Sequence, residues 1–147
     1  MGDRLKDKIA IITGAGSVGP GWGNGKATAV LFAREGAIVV AVDRDVVSVE
    51  KTVAMIHGEG GQAMAVEADV KDEESLKAAV DECLSRHSRI DILHNNVGIS
   101  LAGGDAEITD ITVEALAHCV AVNLRAIVPV SYTNLPPHET RHDGVFR

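Results

Sequence analysis

The chain has 147 residues, of which 46% are apolar, and it carries 14 Lys and Arg against 21 Asp and Glu, for a formal net charge of −7. That length and apolar content suit one domain with a packed core, whereas the acidic balance and an aromatic content of 3% argue against nucleic acid as a partner. Because the start, MGDRLKDK, is charged and no apolar run approaches the ~18 residues of a membrane span, we expect no membrane partner and a cytoplasmic location.

Short β-rich runs alternate with helical runs along most of the chain. In chain order, the patterns predict strands at 8–13, 37–43, 62–69 and 89–96, and helices at 26–35, 46–61, 72–88 and 112–131, the last at least as far as Ile127. The strands are nearly all apolar, as strands buried on both faces are. The alternation therefore predicts an α/β fold, in which a parallel sheet carries helices on both faces. Cys83 and Cys119 fall in predicted helices and are expected to be reduced thiols.

A glycine-rich segment joins the first strand to the first helix. Six glycines lie between Gly14 and Gly25, and the segment from Gly14 to Gly19 satisfies G-x-G-x-x-G. A turn without Cβ atoms lets the backbone approach a pyrophosphate, and the following helix N-terminus stabilises its charge. In this context the motif predicts a dinucleotide-binding turn. The alternative is a turn whose glycines serve only close helix–strand packing.

Two other motifs are weaker. GNGKAT resembles the end of a P-loop, but Pro20 stands where the first glycine is required and Ala27 where the magnesium-binding hydroxyl is required. His138 to His142 reads H-E-x-x-H, the pattern of a zinc site, but prolines precede it and a glycine follows closely. We therefore predict no metal site, and we keep ATP binding as a minor alternative.

An acidic residue, Asp43, ends the second predicted strand. A carboxylate there accepts hydrogen bonds from the ribose hydroxyls of adenosine and repels a 2′-phosphate. This position favours NAD over NADP, although Arg44 follows directly and a guanidinium is the usual partner of a 2′-phosphate.

Taken together, these segments resemble the short-chain dehydrogenase/reductase family over most of the chain, from about Lys6 to Val130. The likeness is carried by TGAGS and GNGKA, VDRD, ADV, HNNVG and VNL in this order and spacing. It implies a Rossmann-like doubly wound parallel sheet of order 3-2-1-4, incomplete after the fourth strand. The family's turn is T-G-x-x-x-G-x-G, so the segment Val18–Trp22 looks inserted, with Trp22 either covering the cofactor or packing on the surface.

The resemblance also assigns site residues. Asp69 and Val70 would meet the adenine, Asn95 would brace the sheet near the cofactor ribose, and Gly98 would let the cofactor pass. Asn123 would be catalytic, holding a helix bulge and a water of the proton relay, unless it only bonds a neighbouring backbone group. The full set of expected cofactor-binding residues is Gly14, Ser17, Gly23, Gly25, Asp43, Asp69, Val70, Asn95 and Gly98.

The implied function is that of an NAD(P)-dependent oxidoreductase that interconverts an alcohol and a ketone. The family's reaction also needs a serine and Tyr-x-x-x-Lys, whereas Tyr132 is followed by Pro136 and no lysine occurs after Lys77. We therefore expect residues 1–131 to be a partial dinucleotide-binding domain, residues 132–147 to be an atypical tail, and the chain to be a fragment that is inactive alone. A homo-oligomer is expected only of the full-length family, and the alternative function is a non-catalytic dinucleotide-binding module.

Overall fold

A computed structural model describes residues 2–99, 107, 109–128 and 131 of the chain. Strands and helices alternate as the pattern predicts. Their bounds are β1 Ile9–Thr13, α1 Asn24–Arg34, β2 Ile38–Asp43, α2 Val46–Gly58, β3 Gln62–Glu67, α3 Glu73–His87, β4 Ile92–His94 and α4 Val113–Val120, followed by a π-helical turn at Ala121–Arg125.

The four strands form one parallel sheet of order β3-β2-β1-β4, which confirms the predicted order. In register, Ile11 of β1 lies between Val40 of β2 and Leu93 of β4. β2 and β3 lie in succession on one side of β1, whereas β4 lies on the other side of β1. The gap between β1 and β4 is therefore the point at which α/β sheets bind ligands.

Each face of the sheet has its own apolar layer. Because successive strand residues point to opposite faces, Ile9 and Ile11 pack with α3, whereas Ala10 and Ile12 pack with α1 and α2. The layer on the α1 and α2 side is rich in alanine, which lets those helices approach the sheet closely: Ala10, Ala15, Ala29, Ala33, Ala37 and Ala41. The helices thus cover both faces, as a doubly wound sheet requires.

The fourth strand, predicted at 89–96, is shorter at both ends, and at its carboxyl end side chains replace backbone pairing. The ladder with β1 ends at His94. Beyond it, Thr13 Oγ1 donates to the His94 carbonyl at 3.4 Å and accepts from Asn96 N at 3.2 Å. The residues predicted as the end of the strand are therefore held by hydroxyl and amide side chains.

The last predicted helix is interrupted. Residues 113–120 are α-helical, but the N–H of Ala126 donates to the carbonyl of Ala121, five residues back, at 3.1 Å. This π-helical turn places Asn123 near its centre. In the described part of the chain, helices are too short or too polar to cross a membrane.

Candidate functional site

A cleft of about 480 Å³ opens at the carboxyl edge of the sheet, within the volume range of small-molecule sites. Its walls come from the segments that follow β1, β2, β3 and β4, together with the start of α1 and part of α4. The lining residues are Gly14, Gly16, Ser17, Val18, Gly23, Asn24, Gly25, Val42, Asp43, Arg44, Asp45, Ser48, Ala68, Asp69, Val70, Lys71, Asn96, Val97, Gly98, Ile99, His118 and Val122. The structure therefore brings together every predicted cofactor-binding residue except Asn95.

The glycine turn and the first helix touch each other at Gly25. A Cβ atom at this buried position would overlap the carbonyl of Gly14 and lie 2.5 Å from Asn96 Nδ2. Only glycine lets α1 begin so close to the end of β1. Close packing thus accounts for the glycine at 25, which also lines the cleft together with Gly14, Ser17 and Gly23.

The N-terminus of α1 faces the cleft without a side-chain cap. The helix begins at Asn24, and its N-cap, Gly23, makes no side-chain hydrogen bond. The first N–H groups of a helix have no partner within the helix, and the helix dipole adds a partial positive charge there. This end of α1 has the donors and the charge that a phosphate group requires.

Asp43 lines the same cleft, half-buried at the end of β2. Its Oδ2 accepts the N–H of Gly16 at 2.9 Å, and its Oδ1 accepts the N–H of Asp45 at 3.1 Å. A carboxylate offers about four lone-pair positions, so two remain to accept hydroxyl groups of a ligand. The side chain thus joins the wall of the cleft to the glycine turn.

Asp69 and Val70 line the cleft in the segment that follows β3. The N–H of Lys71 donates to Asp69 Oδ1 at 2.9 Å, and Lys71 Nζ lies 3.8 Å from Asp69 Oδ2. Val70 also packs against the apolar layer that α3 covers. An apolar side chain beside a carboxylate suits a heterocycle with exocyclic N–H donors.

The two asparagines after β4 differ in their positions. Asn95 is exposed and is not part of the cleft wall. Its neighbour Asn96 is half-buried, and its Nδ2 donates to the carbonyls of Thr13 and Gly14 at 3.2 and 3.1 Å. The contact that joins β4 to the glycine turn is therefore made by Asn96, which the sequence analysis did not select.

Asn123 holds the segment that follows Gly98. Its Oδ1 accepts the N–H of Ile99 at 2.7 Å, and its Nδ2 donates to the carbonyl of Ile99 at 2.8 Å and lies 3.1 Å from Cys119 Sγ. Asn123 is thus tied to backbone 24 residues away, through a π-helical turn of the kind common at functional sites. Both of its polar atoms act on Ile99, which itself lines the cleft.

The inserted segment lies at the rim. Val18 is fully exposed and lines the cleft, whereas Trp22 is 59% exposed and lies outside the cleft wall. The ammonium of Lys26 lies 5.4 Å from the centre of the Trp22 ring, within the range of a cation–π contact. This placement favours the surface position over the cofactor cover.

Among the cleft residues that sequence analysis did not select besides Asn96 are Asp45, Ser48 and His118. Ser48 and Asp45 come from the start of α2, and His118 comes from α4. For Ser48 and Asp45, the sequence signal that could have found them is that they follow Asp43 within five residues. Within the described residues, no cluster of His, Cys, Asp and Glu could hold a metal ion; the H-E-x-x-H segment at 138–142 and the expected tail at 132–147 lie outside the described residues.

Comparison with known proteins agrees with this architecture. The family model described as short chain dehydrogenase matches residues 8–145. An uncharacterized oxidoreductase of Bacillus subtilis, YxbG, is 41% identical over 122 residues, which are 83% of this chain and 42% of that protein. A cyclohexanol dehydrogenase of an Acinetobacter species is 34% identical over 137 residues, which are 92% of this chain and 51% of that protein.

Among solved structures, the crystal structure of 3-ketoacyl-(acyl-carrier-protein) reductase from Brucella melitensis complexed with NADH superimposes with a TM-score of 0.79 at 37% sequence identity. The match covers 90% of this chain and 50% of that chain. The chain thus spans about half the length of the proteins it matches.

Proposed function

Because this chain belongs to the short-chain dehydrogenase family, we propose that it binds an adenine dinucleotide, NAD in preference to NADP, in the cleft at the carboxyl edge of its sheet. The family's members are oxidoreductases. The bound dinucleotide supplies the site that accepts or gives up a hydride. The residues of this chain would hold and orient it.

One observation carries this proposal: an uncapped helix N-terminus and a carboxylate line the same cleft. The first turn of α1 offers N–H donors to a pyrophosphate, and Asp43 offers acceptors to ribose hydroxyls. Asp69 and Val70 form a wall suited to the adenine. The crystal structure of the Brucella melitensis reductase in complex with NADH adds support from a related protein.

The preference for NAD follows from charge. A 2′-phosphate beside Asp43 would place two negative groups in contact, and the carboxylate would lose its hydroxyl partners. Arg44 is exposed on the cleft wall and is the residue that could moderate this repulsion. We expect the repulsion to decide, since Asp43 is held in place by two backbone N–H groups.

Isothermal titration calorimetry of the whole 147-residue chain tests the proposal, with NAD, NADP and ATP titrated separately. We expect saturable binding of NAD and weaker binding of NADP. Binding of ATP in preference to both dinucleotides would contradict the proposal and favour the P-loop alternative. Absence of any binding would also contradict the proposal, because the cleft would then bind no dinucleotide.

For the whole protein we propose alcohol–ketone interconversion, with Asn123 as a catalytic residue that keeps the Ile99 segment and a water in position. One relative is named a cyclohexanol dehydrogenase, and a name that specifies an alcohol substrate supports this substrate class. We expect the present chain to bind cofactor without turnover, since its one tyrosine lacks the family's lysine four residues later. NADH formation by the purified chain in the presence of cyclohexanol would contradict that expectation.

We also propose that the whole protein is a homo-oligomer that uses the side of α4 on which apolar side chains are exposed. Six apolar side chains are exposed along α4 and the turn after it: Val113, Leu116, Val120, Leu124, Ile127 and Val128. Exposed apolar rows of this kind mark contact surfaces. Light scattering of the whole protein, with Leu116→Glu as the disruptive variant, tests this expectation.

A further inference from the structure

The start of α2 makes an unusual set of contacts with the glycine turn, although the two are more than 30 residues apart in the chain. We propose that Asp43, Ser48 and Thr52, here called the turn clamp, are positioning residues that fix the backbone of Ala15–Ser17 for the cofactor. This inference rests on the proposed function. It assigns roles to two hydroxyl side chains, of which Thr52 is fully buried and Ser48 lines the cleft.

Thr52 makes the deepest contact. Its side chain is fully buried, and its hydroxyl donates to the carbonyl of Ala15 at 2.8 Å. The N–H of Ala15 in turn donates to the carbonyl of Val42 at 3.1 Å. Both polar groups of Ala15 are therefore satisfied inside the protein, and loss of the Thr52 hydroxyl would leave a buried carbonyl without its partner.

Ser48 lies one helical turn before Thr52 on the same side of α2. Its hydroxyl accepts the N–H of Ser17 at 2.6 Å and donates to the carbonyl of Ser17 at 2.9 Å. One side chain thus satisfies both backbone groups of one turn residue. A single rotation of this hydroxyl is compatible with both bonds, which fixes the direction of the Ser17 peptide groups.

Asp43 completes the clamp by accepting the N–H of Gly16 at 2.9 Å. A Cβ atom at Gly16 would lie 2.8 Å from both Asp43 Oδ2 and Ser48 Oγ. A side chain at 16 would therefore push the Asp43 carboxylate and the Ser48 hydroxyl out of these positions. The clamp and the second glycine of the motif are therefore one structural unit.

The clamp decides which N–H groups face the cofactor. The N–H groups of Gly16 and Ser17 already donate to Asp43 and Ser48. The phosphate donors must then come from the uncapped first turn of α1, where the N-cap Gly23 has no side chain. The turn clamp holds the backbone so that this helix end is exposed to the cleft, and it reduces the ordering cost of cofactor binding.

Two variants of Thr52 separate positioning from simple packing. Thr52→Val keeps the volume and removes the hydroxyl, whereas Thr52→Ser keeps the hydroxyl and removes a buried methyl group. We expect Thr52→Val to weaken NAD binding about tenfold, the result if the turn then holds its binding-competent conformation about one-tenth of the time. Thr52→Ser should bind NAD as the unchanged chain does, although the lost methyl group lowers its unfolding midpoint in urea.

Ser48→Ala is the second arm, with Ser85→Ala, an exposed serine of α3, as its matched control. We expect Ser48→Ala to weaken NAD binding and to speed hydrogen exchange of the Ser17 amide, with β2 amides unchanged. Binding can be followed by calorimetry and by the fluorescence of Trp22, the one tryptophan of the chain.

Equal NAD affinity of the unchanged chain, Thr52→Val and Ser48→Ala would overturn the positioning role and leave the proposed function intact. Weak binding by Thr52→Ser and Thr52→Val alike would also overturn it, because the effect would then follow packing and not the hydroxyl. A failure of the unchanged chain to bind NAD would overturn both this inference and the proposed function.

Discussion

At the scale of single residues, the cleft depends on Gly25, where a side chain would meet backbone. Replacing Gly25 with alanine would force a Cβ against the carbonyl of Gly14. We expect Gly25→Ala to lower the free energy of unfolding by about 1–3 kcal/mol through overpacking, more than the ~1 kcal/mol that alanine gains over glycine within a helix. Urea unfolding followed by circular dichroism measures the change.

Gly21→Ala is the matched control, because it lies in the same glycine-rich segment and a Cβ there meets no atom within 4 Å. We expect Gly21→Ala to keep the stability and NAD affinity of the unchanged chain. Equal unfolding midpoints for Gly25→Ala and Gly21→Ala would contradict the close contact between α1 and the glycine turn.

A second prediction at this scale concerns the charge of Asp43. Asp43→Asn keeps an oxygen that can accept the Gly16 N–H but removes the negative charge that faces the cleft. We expect the ratio of NAD to NADP affinity to fall about tenfold, since one charge-assisted hydrogen bond and one repulsion are lost. Calorimetric titration with both dinucleotides measures the ratio.

Asp81→Asn, which removes the same charge from the exposed side of α3, controls for the change in net charge. An unchanged ratio in Asp43→Asn would mean that Asp43 does not select the cofactor.

Sequence reasoning reached Asp43 but missed Ser48, Thr52 and Asn96, for a physical reason. Asp43 ends an apolar run, which is a local signal. Thr52 acts on Ala15, 37 residues away, through the packing of α2 beside the turn, and no local pattern contains that contact. The choice between Asn95 and Asn96 depends on which side of the extended chain faces β1, and the sequence offers two equal candidates.

At the scale of elements, the first and fourth strands are joined by a side chain at their amino ends. Asp91 Oδ2 accepts the N–H of Ile9 at 2.8 Å and the Nε–H of Arg89 at 3.0 Å. These bonds hold the pKa of Asp91 below its ordinary value of 3.8, and the bond from Ile9 has the larger effect. The lowered pKa links β1–β4 pairing to pH.

The pKa of Asp91 is lower in the folded chain than in the unfolded chain. Its contribution to the free energy of unfolding is therefore fully present above pH 3.8 and is lost as pH falls through the folded pKa. We expect Asp91→Asn to unfold at lower urea concentration at pH 7 and to differ less from the unchanged chain at acid pH. Urea midpoints across this pH range measure the effect. A constant difference at all pH values would contradict the charge-based account.

Elements were predictable where the apolar period was uninterrupted. The order of the sheet followed from alternation and from the family resemblance, and it is confirmed. The last helix was predicted as continuous because a π-helical turn does not change the apolar period enough to be visible. The end of β4 was misplaced because the sequence does not show that Thr13 and Asn96 replace ladder hydrogen bonds.

At the scale of the whole molecule, the buried thiol of Cys83 reports on global opening. Burial raises the pKa of Cys83 to about 11, so little thiolate is present in the folded state at pH 8. We expect a thiol reagent to modify Cys83 only as the chain unfolds in urea, and stability to fall as pH rises from about 8.5 toward 11.

Cys119→Ser leaves Cys83 as the one thiol and makes the measurement specific. Fast modification of Cys83 in this variant without denaturant would contradict the packing of α3 on the sheet.

The account as a whole depends on an adenine dinucleotide lying along the carboxyl edge of the sheet. Amide chemical shifts of the whole chain, recorded by NMR during titration with NAD, test this most directly. The account predicts saturable shifts in Gly14–Gly25, around Asp43 and at Asp69–Val70, with α3 amides near Ser85 unchanged. Absence of saturable shifts, or shifts confined to α3 and the amino edge of the sheet, would contradict it.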